Sequence, residues 1–466
     1  MKNIDKNELI SIQDKIKEFK QSHTYEMRDK IVSDIYKNAK SYTDQCVKKQ
    51  NLINPSTKEI DDIVTSKIFG IPLMIVLLTL ILWITIQGAN YPSALLADLL
   101  FSFEDNLSIF LYSLNTPVWL HNILVFGLYK TVAWVVSVML PPMAIFFPIF
   151  TLLEDLGYLP RVSFNLDHVF EKACAHGKQA LTMCMGFGCN AAGIIACRII
   201  DSPRERLIAI LTNNFVPCNG RFPTLIVLAT IFIGVETSSG TGNILASLLV
   251  VLMIMLGIGI TLLTSYILSK TLLKGIPSSF TLELPPYRKP QILRVLYSSL
   301  IDRTIFVLGR AVTVAAPAGV ITYVLSNIYI GDMSIVGHIA GFLNPFAHLI
   351  GLDGFILMAF ILGFPANEIV LPILIMAYLS KGIMMDFQNI SQLHTILVDN
   401  GWTYLTTLNV MLFSLLHFPC ATTVWTIRKE TGSVKWTLLS FFIPTAIAIC
   451  ICFLTTQIWR VISLVM

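Results

Sequence analysis

Cys218 and Cys420 each stand directly after a proline, in "NNFVPCNGR" and "LLHFPCATT", and Cys189 closes the run "MGFGC" just before Asn190. A proline removes one backbone donor and leaves a carbonyl of the preceding turn without its helical partner. A thiol beside freed carbonyl oxygens makes a mixed sulfur–oxygen surface, which suits late or borderline divalent metals better than Mg²⁺ or Ca²⁺. Met183 and Met185 add thioether, and Asn190, Asn367, Thr422 and Thr423 add neutral oxygen. The same small and polar residues would also let helices pack closely. Repetition favours chemistry over packing. "MGFGCN" at 185–190 and "LGFPAN" at 362–367 share Gly-Phe-x-x-Asn, and each is followed downstream by Pro-Cys.

Ionisable groups inside apolar segments are costly and are functional candidates for that reason. Glu368 lies in such a run and could act as cation ligand, proton carrier or partner of Arg310. Glu154 and Asp155, in "LLEDLGYLPR", sit at the end of another run, either to attract a cation or to cap the interface beside Arg161. His417 and His348 read as satisfied core or interface histidines. So do Cys197, Cys450 and Cys452 as small hydrophobes. No HExxH, no GxSxG with partners and no GxxxxGK[ST] occurs, and "GKQALT" at 177–182 lacks the upstream glycine spacing. Soluble catalysis and phosphate cradling are therefore not indicated.

The elements that position these residues follow from composition. The 466 residues are 55% hydrophobic and 13% charged, with a mean hydropathy of +0.70, whereas soluble domains carry about a quarter charged residues. Apolar runs at 69–83, 207–234, 244–268, 305–323, 355–379 and 436–458 approach or reach the length that crosses about 30 Å of hydrocarbon. The ten-residue alternation of a membrane β-barrel is missing. The class is an all-α polytopic membrane protein. Residues 1–67 read as a cytosolic helical region without a cleavable signal peptide, and 68–466 as the transmembrane domain.

Basic loops stay in the cytoplasm, and those here are 161–178, 198–206, 270–303 and 428–435. On that rule the chain starts inside and crosses at about 68–87, 120–153, 207–234, 243–269, 304–328, 403–427 and 436–459. The segment holding "MCMGFGCN" then enters and leaves on the inner side, and 352–380 on the outer side. This gives about seven transmembrane helices plus two re-entrant segments in an inverted repeat, which brings a binding site to the midplane. Ser202-Pro203-Arg204-Glu205 is a capping box that restarts a helix. Pro141, Pro142, Pro148, Pro217 and Pro223 interrupt others. Because a half-helix N-terminus repels cations, an ion is expected at the unwound peptide or at a half-helix C-terminus.

Read in order, "LLEDLGYLPRVSFNLDHVF", "MGFGCNAAGIIACRIIDSPRERL", "FVPCNGRFP", "GFPANEIVLPILIMAYL" and "FPCATTVWTIRKETGSVKWTLL" resemble the membrane domain of the ferrous-iron transport protein B family, with its two Gate motifs. The resemblance runs from roughly residue 25 to the end and places the Gate motifs near 181–224 and 355–424. It implies passage of Fe²⁺, or a related divalent metal, into the cell across the inner or plasma membrane by a multi-pass protein with a cytoplasmic N-terminus. Cys189, Cys218 and Cys420 match the family's proposed metal-path cysteines. Glu154 and Asp155 match its acidic stretch before Gly-Tyr, and Glu368 its second-Gate acid. Asn190 and Met185 join them as oxygen and thioether donors. Fe²⁺ is then the transported ion, and no permanently bound cofactor is expected. The family's GTP-binding domain and P-loop have no counterpart in this sequence, so nucleotide hydrolysis is not expected of this chain. Expected partners are the bilayer, a separate GTP-binding or small accessory protein and further copies of the chain, but no nucleic acid. Many members have Lys where Asn367 stands, so that lysine's role does not carry over. Two other readings stay open. Gate motifs also occur in nucleoside carriers, and the 1–67 region could serve a membrane partner protein that transports nothing.

Overall fold

In hydrocarbon every backbone N–H and C=O must find a partner within the protein, so helices dominate. The computed structural model describes residues 55–66, 69–234 apart from 174 and 176, 241–274, 287, 291–378 apart from 332, 390–465, and 31–46 in part. Among these, the sole sheet is a two-residue antiparallel hairpin, β1 (Tyr329–Ile330) with β2 (Met333–Ser334). Most of the expected 1–67 region lies outside the described residues. From it comes α1 (Pro55–Val64), which leads into α2 (Gly70–Ser113).

The remaining helices fall into two similar series. The first runs α3 (Val118–Leu156), α4 (Tyr158–Lys172), α5 (Gln179–Gly188), α6 (Asn190–Ala196), α7 (Pro203–Thr212), α8 (Phe222–Ala229) and α9 (Thr241–Lys270). After the short α10 (Ile292–Tyr297), the second runs α11 (Phe306–Asn327), α12 (Ile335–Leu349), α13 (Gly354–Leu362), α14 (Val370–Tyr378), α15 (Ile390–Asp399), α16 (Tyr404–Leu416), α17 (Ala421–Thr431) and α18 (Val434–Val465). Each series places a broken hairpin, α5–α6 or α13–α14, before a broken helix, α7–α8 or α16–α17, and closes on a long helix.

Both hairpins are tied at the mouth, as segments that enter and leave on one side must be. Before α5, the Lys178 ammonium donates to the Ile199 carbonyl at 3.0 Å and to Asp201 at 2.9 Å, both beyond α6. At the second hairpin, Asp353 caps α13 by accepting from the Ile356 N–H at 2.7 Å. Its other oxygen accepts from the hydroxyl of Tyr378, the last residue of α14. Trp402 donates in turn to that hydroxyl at 2.9 Å.

Four described helices are long and apolar enough to cross a membrane alone: Val118–Leu156, Leu248–Lys270, Tyr404–Thr431 and Val434–Ser463. Ile335–Leu349 with Gly354–Leu362, bent by 112°, would make a fifth. Shorter apolar stretches at Gly70–Thr85, Phe222–Phe232 and Ala311–Asn327 are further candidates for the about seven that the sequence suggested. The 207–234 run splits into α7 and α8 around the stretch 213–221. The polar stretch expected as a loop after 87 instead continues α2 to Ser113, and the chain turns at Asn115, with φ 51°. The capping box holds, with Ser202 accepting from the Glu205 N–H and Pro203 at the first helical position.

α1 docks on α4. The Arg161 guanidinium, fully buried, donates to both oxygens of Asp61, at 2.9 and 3.2 Å, and to the Gly157 carbonyl at 2.7 Å. Asn165 donates to the Val64 carbonyl at 2.7 Å. The hydrogen bonds from Arg161 hold the Asp61 carboxyl below its ordinary range.

The two series meet where their long helices break. Pro419 follows α16, whose last carbonyls then lack intrahelical donors. The buried Arg221 reaches them from the first series. Its Nη1 donates to the carbonyls of Leu415 (2.8 Å) and Asn214 (2.7 Å). Its Nη2 donates to His417 O (3.2 Å), Phe418 O (3.3 Å) and Asn214 Oδ1 (3.2 Å). Asn214 Nδ2 donates to His417 O at 2.7 Å. Around this clamp Phe215, Leu225 and Leu228 pack in one core with Ile356, Phe360 and Leu415. Arg221→Met keeps the bulk and removes every donor. It is expected to cost about 3 kcal/mol or more through the unpaired buried carbonyls, read as a lowered melting temperature of the detergent-solubilised protein. An unchanged melting temperature would mean that other donors serve those carbonyls.

Candidate functional site

Cys189 is the single residue between α5 and α6, and its backbone is extended, with φ −155° and ψ 127°. Ala366 takes the same place in the second hairpin, with φ −151° and ψ 120°, and Asn367 follows it as Asn190 follows Cys189. The repeated Gly-Phe-x-x-Asn thus encodes one backbone shape twice. Each break is also fastened to its own Pro-Cys loop. The Asn219 N–H donates to Gly188 O at 3.4 Å, and the Ala421 N–H donates to Phe364 O at 2.9 Å. In both halves the donor is the residue after the cysteine.

These fastenings gather the thiols. Cys189 and Cys218 are buried and Cys420 is half-buried. Cys189 lies within electrostatic reach of the other two, and Cys420 also within reach of Glu368. Cys189 and Cys420 are the cap residues of α6 and α17. Neither side chain makes a capping hydrogen bond to its helix. Cys420 Sγ lies 3.2 Å from Thr423 Oγ1. The expected ion position, an unwound peptide or a half-helix C-terminus, can be compared with where the thiols stand. Cys189 stands at the C-terminus of α5 and the N-terminus of α6 together, and Cys420 at an N-terminus alone. Arg221 lies within electrostatic reach of Cys218 and Cys420, and its buried Nε has no partner among the described residues.

Glu368 enters from the second half. It is 6% exposed, and its Oε2 lies 2.6 Å from the point where a Cβ on Gly220 would sit. The carboxylate therefore rests on the turn that follows Cys218, and only a glycine there leaves room. Glu368 Oε1 and Asn367 Oδ1 are buried without hydrogen-bond partners among the described residues. Asn190 is buried beside the first break, and Asn213 donates to its backbone carbonyl at 3.3 Å. Gly186 and Gly193 leave the space that the Asn213 amide occupies.

Other sequence candidates stand apart. Glu154 and Asp155 are exposed at the end of α3, and Asp155 accepts from the Gln291 N–H at 3.0 Å. They stand outside because Gly157, in the left-handed conformation at φ 85°, ends α3 and turns the chain into α4. Met185 is half-buried and packs against the apolar cluster that holds Met183 and Cys189, with Cys184 also against it. His417 is a core residue, with Nδ1 at 2.9 Å from Ser414 O and its ring stacked on Phe413. His348 is exposed, and the side chain of Arg310 lies outside the described residues. Among the described residues no three His, Cys, Asp or Glu side chains converge to hold a metal ion. The three thiols and Glu368 thus form an open series across the junction and not a closed cage. Sequence reading passed over Arg221, Asn213, Asn214 and Gly220, although all four lie within "NNFVPCNGR".

Residues 136–232 match the Gate family model, described as nucleoside recognition, and residues 250–302 match the ferrous iron transport protein B C terminus. Over these residues the chain is similar to the membrane domain of the FeoB family. Fe(2+) transporter FeoB of Staphylococcus aureus is 29% identical over 418 residues, which cover 86% of this chain and 59% of the relative. The protein of the same name from Methanocaldococcus jannaschii is 28% identical over 424 residues (88% and 60%). That from Campylobacter jejuni is 25% identical over 420 residues (87% and 66%). The chain thus spans about three fifths of the length of the first two relatives. No solved structure matches it significantly. The break at Cys189 and the first Pro-Cys loop both fall within the Gate match.

In this FeoB-type domain, Gly220→Ala is expected to drive a methyl into the Glu368 carboxylate, an overpacking that costs about 1–3 kcal/mol. Adding Glu368→Ala should restore the melting temperature, and Glu368→Gln should not. Additive losses in the double mutant would show that the two residues do not meet.

Proposed function

We propose that this chain carries ferrous iron, or a chemically similar divalent metal, into the cell through the junction of its two hairpin breaks. The reading rests on one observation above all: three thiols from separate elements and a buried carboxylate form an open series along the junction where four helices are interrupted. Sulfur ligands with unwound carbonyls match the chemistry of a borderline divalent ion. The open arrangement suits transport, which requires binding strong enough to admit an ion and weak enough to release it. Cys189, Cys218 and Cys420 supply transient soft ligation. Asn190 supplies neutral oxygen, and Glu368 hands the ion across from the second half. The exposed Glu154 and Asp155 would act, if at all, away from the junction. The relatives named Fe(2+) transporter FeoB support iron as cargo. They also favour a transporter over an enzyme.

The basic loops favour a cytoplasmic N-terminus for this multi-pass membrane protein. Energy or gating would come from a separate GTP-binding or accessory protein, and self-association is compatible with the exposed apolar helix faces. The description of the Gate family as nucleoside recognition supports a second reading, a nucleoside carrier. Such a carrier would have no need of the thiols.

Anaerobic uptake of radiolabelled Fe²⁺ into proteoliposomes separates these readings. The Cys189→Ser, Cys218→Ser double variant is expected to lose about tenfold or more of the wild-type rate, corresponding to about 1.4 kcal/mol, and Glu368→Gln to fall similarly. Uptake by the thiol variant at the wild-type rate would overturn the thiol route. Wild-type protein that moves a nucleoside and no divalent metal would establish the carrier.

A further inference from the structure

The side-chain oxygens of Asn213 and Asn190 border one small space in the first half, above Gly186. The point where a Gly186 Cβ would sit is 3.2 Å from Asn213 Oδ1 and 3.5 Å from Asn190 Oδ1. Both residues are at least nine-tenths buried, and both oxygens lack hydrogen-bond partners among the described residues. The assignment at Asn213 is fixed by its surroundings. Its Nδ2 faces the Asn190 backbone carbonyl, which can only accept, so the other end of the amide must be the oxygen.

A third acceptor lies two turns back along α5. The Thr212 hydroxyl donates to Ile208 O at 2.8 Å, so toward Gln179 Nε2, also 2.8 Å away, it can only accept. That leaves Gln179 Oε1 as the free end, again buried and unpartnered. The Asn213 and Asn190 oxygens thus share the space above Gly186, with Asn213 Nδ2 also 3.2 Å from the same point, and α5 carries a further unpartnered buried oxygen on Gln179. An unpaired buried oxygen is expensive, and two such acceptors about one space suit a cation.

Charge sets the kind of cation. The groups bordering the Asn213 amide are Gly186, Gly193, the Thr182 carbonyl and Asn190, all neutral. Asn214, next in the chain, turns the other way and gives its oxygen to Arg221, whose Nη donors face α16. A neutral oxygen set compensates poorly for the dehydration of a divalent ion, whereas it suits an alkali ion at the end of a broken helix. α5 also ends here, so its C-terminal partial negative charge adds attraction.

We propose that Asn213 and Asn190, above Gly186, form a binding site for one monovalent alkali cation, with Gln179 as the next oxygen along its route to the cytosol. The site is separate from the thiols and requires no divalent metal.

The test is binding of ²²Na⁺ to the detergent-solubilised protein, with the melting temperature followed in NaCl, KCl and choline chloride at equal ionic strength. Wild type should bind about one ion per chain and melt higher in one alkali salt than in choline, because a ligand of the folded state stabilises it by mass action. Gly186→Ala is the blocking variant. It sets a methyl in the seat, touches either amide only at ordinary to tight contact distance and improves helix propensity, so the fold should survive. Its affinity should fall about tenfold or more and its salt-specific shift should vanish. Gln179→Leu should slow ²²Na⁺ exchange without emptying the site. Absence of ²²Na⁺ or ⁴²K⁺ binding to wild type, or equal binding by Gly186→Ala, would overturn the proposal. So would displacement of the bound ion by Mn²⁺ in proportion to thiol occupancy. None of these readouts depends on iron uptake, so a failed iron-transport reading would leave them interpretable.

Discussion

A guanidinium buried between two interrupted helices is the interaction on which the rest of the structure depends. Opening a helix in hydrocarbon exposes carbonyls that water cannot reach, and Arg221 answers for those of Leu415, His417 and Phe418 together with Asn214 from its own side. Because the donor belongs to one half and most of the acceptors to the other, the two Pro-Cys loops are held face to face. Cys218, Cys420 and Glu368 can then share one neighbourhood. A hydrophobic contact could bring the halves together, but it could not keep the backbone open. The charge performs both tasks and also sets a positive field beside the two sulfurs.

Much of this was legible as text. The repeated Gly-Phe-x-x-Asn announced both breaks, the two Pro-Cys sites announced the interrupted helices, and Ser202 through Glu205 announced a helix start. The hairpin character followed from the placement of lysines and arginines, and the bonds from Lys178 to Ile199 and from Tyr378 to Asp353 give it a local basis. Hydropathy measures the length of a run and not where it is divided, so the split of the 207–234 run into α7 and α8 was not legible. Glu154 and Asp155 end a helix as read, but their exposure was not legible. Whether a carboxylate at a helix end faces inward depends on the turn that follows, here the left-handed Gly157. Arg221 and Asn213 escaped notice because their value lies in what they bond to 190-odd and 20-odd residues away, a fact of tertiary structure that no local pattern carries.

The two halves share a backbone plan and differ in chemistry. The first break holds a thiol and faces a pocket of amide oxygens. The second holds a methyl group and passes its polar duty to the next residues, Asn367 and Glu368. Two of the three sulfurs, Cys189 and Cys218, thus come from the first half, and the third, Cys420, stands in the second half with Glu368.

The matched dihedral angles at Cys189 and Ala366 have an evolutionary consequence. Two segments that fold to the same shape, one in each half, form a duplicated part whose copies no longer bear identical obligations. Once the backbone is secured by its glycines and by the fastening to the Pro-Cys loop, the residue at the bend is released from structural duty. One copy could keep a reactive side chain while the other lost it, without altering the scaffold. Asymmetry of direction, which any vectorial device needs and no symmetric duplication supplies, could enter this molecule through a single codon.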